Sequence, residues 1–272
     1  MKIAHIINPV KVNKESDLYL AQPVTFQSML NAKEFARDII QVDLYTTQYQ
    51  EDREIIPNGF IVTDDLTRSI LDLNDFKIKR KLPLIKDILD KLYDYSDAKF
   101  LIYTNVDIGL QPYFYMYVKQ LIEFGWDGIC INRKTLPEFL EFVSELNVNY
   151  LPIIYSIEGE QHPGIDCFVF RRDIYPNFEL GNVCIGFQGI GAVLKDNIKK
   201  FSHNFIWEKN ANATFHLGST ERSWEKRKKY ADYYWHNSDE RDAIDASLKM
   251  IGRLEKIRNI FRVRSIIAKM IK

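Results

Sequence analysis

KFLIYTNVDIGL, residues 99–110, changes character halfway along. Phe100-Leu101-Ile102-Tyr103 is a short apolar run rich in β formers, the pattern of a buried strand. It gives way at once to Thr104-Asn105-Val106-Asp107. Side chains alternate along an extended segment, so Asn105 and Asp107 are expected to point the same way. A core strand would then carry an amide oxygen and a carboxylate side by side to its carboxyl end, where open α/β sheets bind ligands. Hard oxygen donors there suit Mg²⁺ or Mn²⁺ carrying a diphosphate. A polar turn closing a core strand would have the same sequence.

Upstream, residues 2–7 form an apolar run that stops at Asn8-Pro9, a second strand end. Residues 10–22 have the polarity of a loop, and Thr25 can cap a helix over 26–35. Residues 39–46 and 60–63 have strand composition, separated by a Pro57-Asn58-Gly59 turn. Pro83 opens an amphipathic helix with Leu84, Ile85, Ile88, Leu89 and Leu92 on one face. Downstream of Asp107, Pro112 opens a helix over 113–124 that Gly125 ends. A strand over 128–131 leads to Asn132-Arg133-Lys134. Strands alternating with helices imply an α/β domain, its central sheet mostly parallel and flanked by helices.

Beyond residue 150 the order is less regular. A helix is expected over 136–146, then a polar loop over 155–163 with Glu158, Glu160 and His162. Asp166 stands at the start of a strand over 166–170. Residues 181–191 are glycine-rich but lack the context of a dinucleotide fingerprint, and imply close backbone approach. Helices are expected over 192–199, 221–235 and from Asp239 onward, with a short apolar segment at 214–218.

A formal net charge of zero removes any general bias toward nucleic acid. Cys130, Cys167 and Cys184 sit in apolar runs without metal spacing, which suggests buried thiols and a cytoplasmic protein. Neither a signal peptide nor a membrane span is expected.

Three features converge: the strand ending in Asn105-Val106-Asp107, the segment 163–170 with Asp166, and Phe215-His216-Leu217-Gly218 followed by Trp224. This pattern resembles glycosyltransferases of the GT-A type, which use nucleotide-diphosphosugar donors. The match is NxD where that family has a DxD element after a core strand. The resemblance implies a GT-A-like single domain over 1–235, with 1–150 the nucleotide-sugar half and 151–235 the acceptor half; charge and periodicity add an amphipathic basic helix over 236–272. It implies a hexosyltransferase-like enzyme of polysaccharide biosynthesis, assisted by Mn²⁺ or Mg²⁺, acting on a glycan or lipid-linked acceptor. Asp107 and His216 would be metal ligands. Thr104, Asn105, Arg133, Lys134 and Trp224 would surround the donor, with Asn8 and Pro9 at its nucleoside. Asp166 is either a base for the acceptor hydroxyl or a turn residue; Glu158 is a second candidate base. His216 is either a ligand or a hydrogen-bonded core residue. The amide at Asn105 brings no charge, so the other reading is a catalytically silent binding module of the same fold. Residues 253–272 carry seven basic side chains against Glu255, so the remainder is net acidic. Apolar residues recur there at near-helical spacing, which suits either a helix for peripheral contact with the inner face of a membrane or one packed on the domain with a solvated basic edge.

Overall fold

The computed structural model describes residues 1–136, 147–217 and 224–270, with backbone alone for 224–226 and 255–270. Every residue of β4 (Phe100–Thr104) is buried, because both faces of the strand are covered. Phe100 and Ile102 pack with Phe26 and Met29 of α1 (Asp17–Ala36) and Phe114 and Val118 of α3 (Phe114–Glu123). Leu101 and Tyr103 pack on the other face, with Ile88 of α2 (Ile85–Tyr95), Val193 of α5 (Ile190–Phe201) and Ile244 of α7 (Ala231–Met270). The period-two alternation of one apolar run thus builds two cores, one on each side of the sheet.

The sheet contains β1 (Lys2–Ile7), β2 (Gln41–Thr46), β3 (Ile61–Val62), β4, β5 (Ile108–Leu110), β6 (Gly128–Thr135), β7 (Glu160–Arg171), β8 (Phe205–Glu208) and β9 (Thr214–His216). Its order is β3-β2-β1-β4-β7-β6-β9-β5, with β8 also on β6. Five of the eight pairings are parallel; β7 runs antiparallel to both β4 and β6. The fold is therefore the expected α/β one, a mostly parallel sheet flanked by helices.

Several boundaries differ. α1 starts at Asp17, so half of the expected loop over 10–22 is helix. Ser16 caps it by accepting from Leu18 N at 3.3 Å, and Gln22 is tied to Val10 N and O at 2.9 and 2.8 Å. Pro23 sits inside this helix and removes one donor, but its turn is covered by the buried Ala21, Val24 and Phe26. β5 is a strand the sequence reading lacked. β7 starts at Glu160, so Glu160 and His162 are in a strand and Asp166 lies within it, not at its start. α4 (Leu151–Ser156) precedes it. The helix expected over 136–146 lies, apart from Leu136, outside the described residues.

After α6 (Trp224–Lys229), α7 begins at Ala231 and runs unbroken through 236. Tyr233 explains the early start: its fully buried ring is stacked between Phe76 at 4.0 Å and Phe187 at 4.8 Å. The three cysteines are free and buried, as expected.

Candidate functional site

The register of β4 against β7 puts Thr104 opposite Cys167, so Asn105, just past the strand end, meets Asp166. Asn105 Nδ2 donates to Asp166 Oδ1 at 3.0 Å, and Tyr103 Oη donates to Asn105 Oδ1 at 2.9 Å. Both ends of the amide are engaged. On the other side, the β6–β7 ladder slips around Asn132, leaving Arg133 out of the pairing. Such a bulge re-aims a side chain, and Arg133 Nη1 reaches Asp166 Oδ2 at 2.8 Å. Both side chains are largely shielded, at 16% and 11% exposure. Burial pushes the Asp166 carboxyl above its ordinary range; Arg133 pulls it back and Asp107 adds to the rise. Arg133 Nε is buried without a hydrogen-bond partner.

Asp107 does not lie beside Asn105 as an extended strand would have it. Val106 and Asp107 form a turn closed by Ile108 N donating to Asn105 O at 3.1 Å, so the two side chains part. The turn delivers β5 antiparallel to β9, with Ile108 opposite His216. His216 Nε2 then sits 3.3 Å from Asp107 Oδ2. Burial would raise the Asp107 carboxyl, but His216, by hydrogen bond and charge, and Arg133 outweigh it, and it titrates below its ordinary range.

These two donors could hold a divalent cation. A 3.3 Å separation suits two ligands each about 2.1 Å from one ion. Among the described residues, no group of three or more His, Cys, Asp or Glu side chains could hold a metal. Further ligands would have to come from a bound diphosphate, which is how Mg²⁺ is commonly held. His216 Nδ1 is buried without a partner, whereas metal-bound histidines usually donate through the second nitrogen.

The carboxyl ends of β1 and β2 form a third group. Asn8 Nδ2 donates to Thr47 O at 2.6 Å, and Pro9 is buried beside it. The Thr46 and Thr47 hydroxyls and the Gln48 side-chain oxygen are buried without partners. Asp52, raised by burial, accepts from Lys11 N at 2.7 Å. Sequence reasoning missed this set. The signal was the polar Thr46-Thr47-Gln48 directly after an apolar strand, the same transition that singled out Asn8-Pro9.

Other expected residues lie elsewhere. Thr104 Oγ1 is 2.9 Å from Nε2 of the buried His5, which burial lowers to a pKa of about 3 and keeps neutral. Lys134 is buried in β6, its backbone paired to β9. Glu158 is exposed between α4 and β7 and makes no hydrogen bond to the Asp166 group. Trp224 starts α6, its side chain outside the description, and Gly218 lies outside it altogether.

No family model matches the sequence, and no curated protein does. Among solved structures the chain is similar to S. aureus TarS 1-349 in complex with UDP-GlcNAc, at 9% identity and a TM-score of 0.46 over 82% of this chain and 60% of that one. It spans 39% of the chain in another TarS structure. It is also similar to glucosyl-3-phosphoglycerate synthase from Mycobacterium tuberculosis in complex with Mn²⁺, UDP and glucosyl-3-phosphoglycerate, at 11% identity and a TM-score of 0.49 over 89% of this chain and 80% of that one. These are likenesses of overall shape, and no residue role passes from them to this chain.

Proposed function

We propose that the chain is a GT-A-like transferase that moves a sugar from a nucleotide-diphosphosugar to a glycan or lipid-linked acceptor. The supporting observation is one cluster at the carboxyl end of β4: a buried carboxyl at Asp166, held by Arg133 and Asn105, next to the Asp107–His216 pair.

Each part has a task in glycosyl transfer. The acceptor hydroxyl oxygen attacks the anomeric carbon and gives its proton to an Asp166 oxygen. The bond from that carbon to the diphosphate breaks, and its electron pair leaves on the diphosphate. A carboxyl raised by burial is the better proton acceptor. The positive Arg133 stabilises the anionic side of the site. Asp107 and His216 would hold Mn²⁺ or Mg²⁺, which would supply charge neutralisation for the leaving group. Asn8 and Pro9, at the carboxyl end of β1, would lie at the nucleoside.

One observation favours the silent-module reading instead: Asn105 is satisfied at both ends and Asp166 is already ion-paired. A thermal-shift series with UDP, GDP and their sugars, with Mn²⁺ or EDTA, followed by assay of released nucleoside diphosphate, decides between them. A ligand that binds only the folded state raises Tm. The transferase reading expects a rise that is larger with Mn²⁺, loses its Mn²⁺ dependence in His216→Ala, and is accompanied by release. A rise without release, even with acceptor, leaves the binding module. No rise with any nucleotide rejects both.

A further inference from the structure

A cavity of about 310 Å³ opens between the start of α5 and the α6–α7 segment. Its walls include Gln188, Arg227, Tyr234, Trp235, Ser238 and Arg241. We propose that it binds a sugar or polyol bearing a phosphate, and that this is the acceptor of the transfer proposed above. The acceptor role rests on that transfer; the binding does not.

The chemistry of the walls selects the ligand. Two guanidinium groups face one small space, and no carboxylate lines it among the described residues. Arginine presents five N–H donors in a fork that matches phosphate oxygens. Arg227 spends one of them, Nη2 donating to Gln188 Oε1 at 2.9 Å, and its guanidinium carbon lies 5.7 Å from the centre of the Tyr234 ring. Arg241 pairs with Asp242 at 2.8 Å, but both side chains are open to water at 46% and 68% exposure. Exposed pairs of that kind contribute little, so Arg241 can turn to a phosphate at small cost. Gly189, the N-cap of α5, also lines the cavity and leaves the first turn of that helix without a side-chain cap.

Trp235 supplies the other half of the recognition. Its indole is 69% exposed, unusual for the largest apolar side chain. An aromatic ring with an open face suits the apolar C–H face of a sugar, while Ser238 and Gln188 suit its hydroxyls. The volume is at the small end of ligand pockets, room for a single sugar phosphate rather than a whole nucleotide-sugar.

The loop that carries Gln188 is braced from α7. Asn237, fully buried on α7, accepts from Cys184 N at 3.0 Å and donates to Cys184 O at 2.9 Å and Gln188 O at 3.1 Å. This clamp holds the loop that presents Gln188. Gly191, in the first turn of α5, packs on the backbone before Asp166 so closely that an added Cβ would lie 3.2 Å from Ile165 O. The first turn of α5 thus joins Gly189 in the cavity wall to the strand that carries Asp166. The cavity lies with α5 and α7 on the Tyr103 and Phe168 side of the sheet.

Isothermal titration of the full chain with a panel of hexose and polyol monophosphates, beginning with glucose 6-phosphate and glycerol 3-phosphate, tests the proposal. One of the panel is expected to bind saturably at one site, at least tenfold tighter than glucose or inorganic phosphate, and more weakly at higher salt. R241Q and W235A are each expected to weaken it at least tenfold, with Tm near that of the wild type since both side chains are exposed. The proposal is overturned if none of the panel binds, if inorganic phosphate binds as tightly, or if folded variants bind as the wild type does. UDP and GDP thermal shifts are run alongside. Nucleotides that fail to bind while a sugar phosphate does would reject the transferase and keep this site.

Discussion

Asn105 Nδ2 donates to Asp166 Oδ1 at 3.0 Å, bridging the end of β4 to the middle of β7. The amide is matched to its partner: a carboxylate at 105 would face Asp166, with one fewer donor and a like charge. Arg133 alone would then have to balance two acids. Asn105→Asp is expected to be less stable than the wild type by about 1–3 kcal/mol in EDTA. Mn²⁺ should restore stability more in the variant than in the wild type, because a bound cation would offset the added negative charge at the site. Differential scanning fluorimetry with EDTA or Mn²⁺ measures both effects. An unchanged Tm in EDTA would mean that this hydrogen bond does not hold the ionised Asp166.

Asp166→Asn keeps shape and hydrogen-bonding capacity toward Arg133 but cannot take a proton. If Asp166 is the base, transfer should fall about 10²–10⁴-fold. Nucleotide affinity should stay within a factor of about three, since Asp166 touches the acceptor rather than the nucleoside. Rate and equilibrium binding are measured on the same preparation. A loss below tenfold would remove Asp166 from the chemistry and leave it a partner that holds Arg133.

Asp107 and Asp166 should give stability opposite dependences on pH in metal-free protein. Asp107 titrates below its ordinary value when folded, so it contributes stability above about pH 4 and loses it as pH falls through the folded value. Asp166 titrates above its ordinary value, so the folded state holds its proton longer and gains stability as pH falls back toward about 4. Denaturant titrations from pH 3 to 7 in EDTA should show the deficit of Asp107→Asn relative to wild type largest at pH 7 and shrinking in acid. For Asp166→Asn the wild type should gain on the variant as pH falls. Parallel curves for both variants would contradict the two shifts.

Much of this was legible because apolar runs and their abrupt ends are local signals. Phe100-Leu101-Ile102-Tyr103 announced a core strand, and its transition to polar residues marked the position of the candidate site. Asp107, His216, Arg133 and Asp166 do converge there. What sequence could not carry was geometry that depends on register. Period-two alternation put Asn105 with Asp107, but a turn at Val106 separates them. Arg133 reaches Asp166 only because the ladder slips at Asn132. α7 starts before Asp239 because Tyr233 finds a slot between Phe76 and Phe187, a tertiary contact that no local propensity encodes.

The basic end of the chain gives the last prediction. α7 is helical to Met270, and no described helix is long and apolar enough to cross a membrane. Met250 and Leu254, four residues apart on one face of the helix, are each 59% exposed. Seven basic residues follow from Arg253, against Glu255 alone. An apolar edge joined to a basic one suits anionic lipid, where each basic side chain near the surface adds about 1 kcal/mol. A chain ending at Gly252 keeps Tyr233, Asn237, Ile244 and Leu248, the buried α7 side chains among the described residues, so it should fold. Co-sedimentation with phosphatidylserine-containing liposomes is expected for the full chain at low salt, to weaken at about 0.5 M NaCl as charges are screened, and to be lost in the shortened chain. Equal binding by both chains, or binding that ignores lipid charge and salt, would leave residues 253–272 without a membrane role.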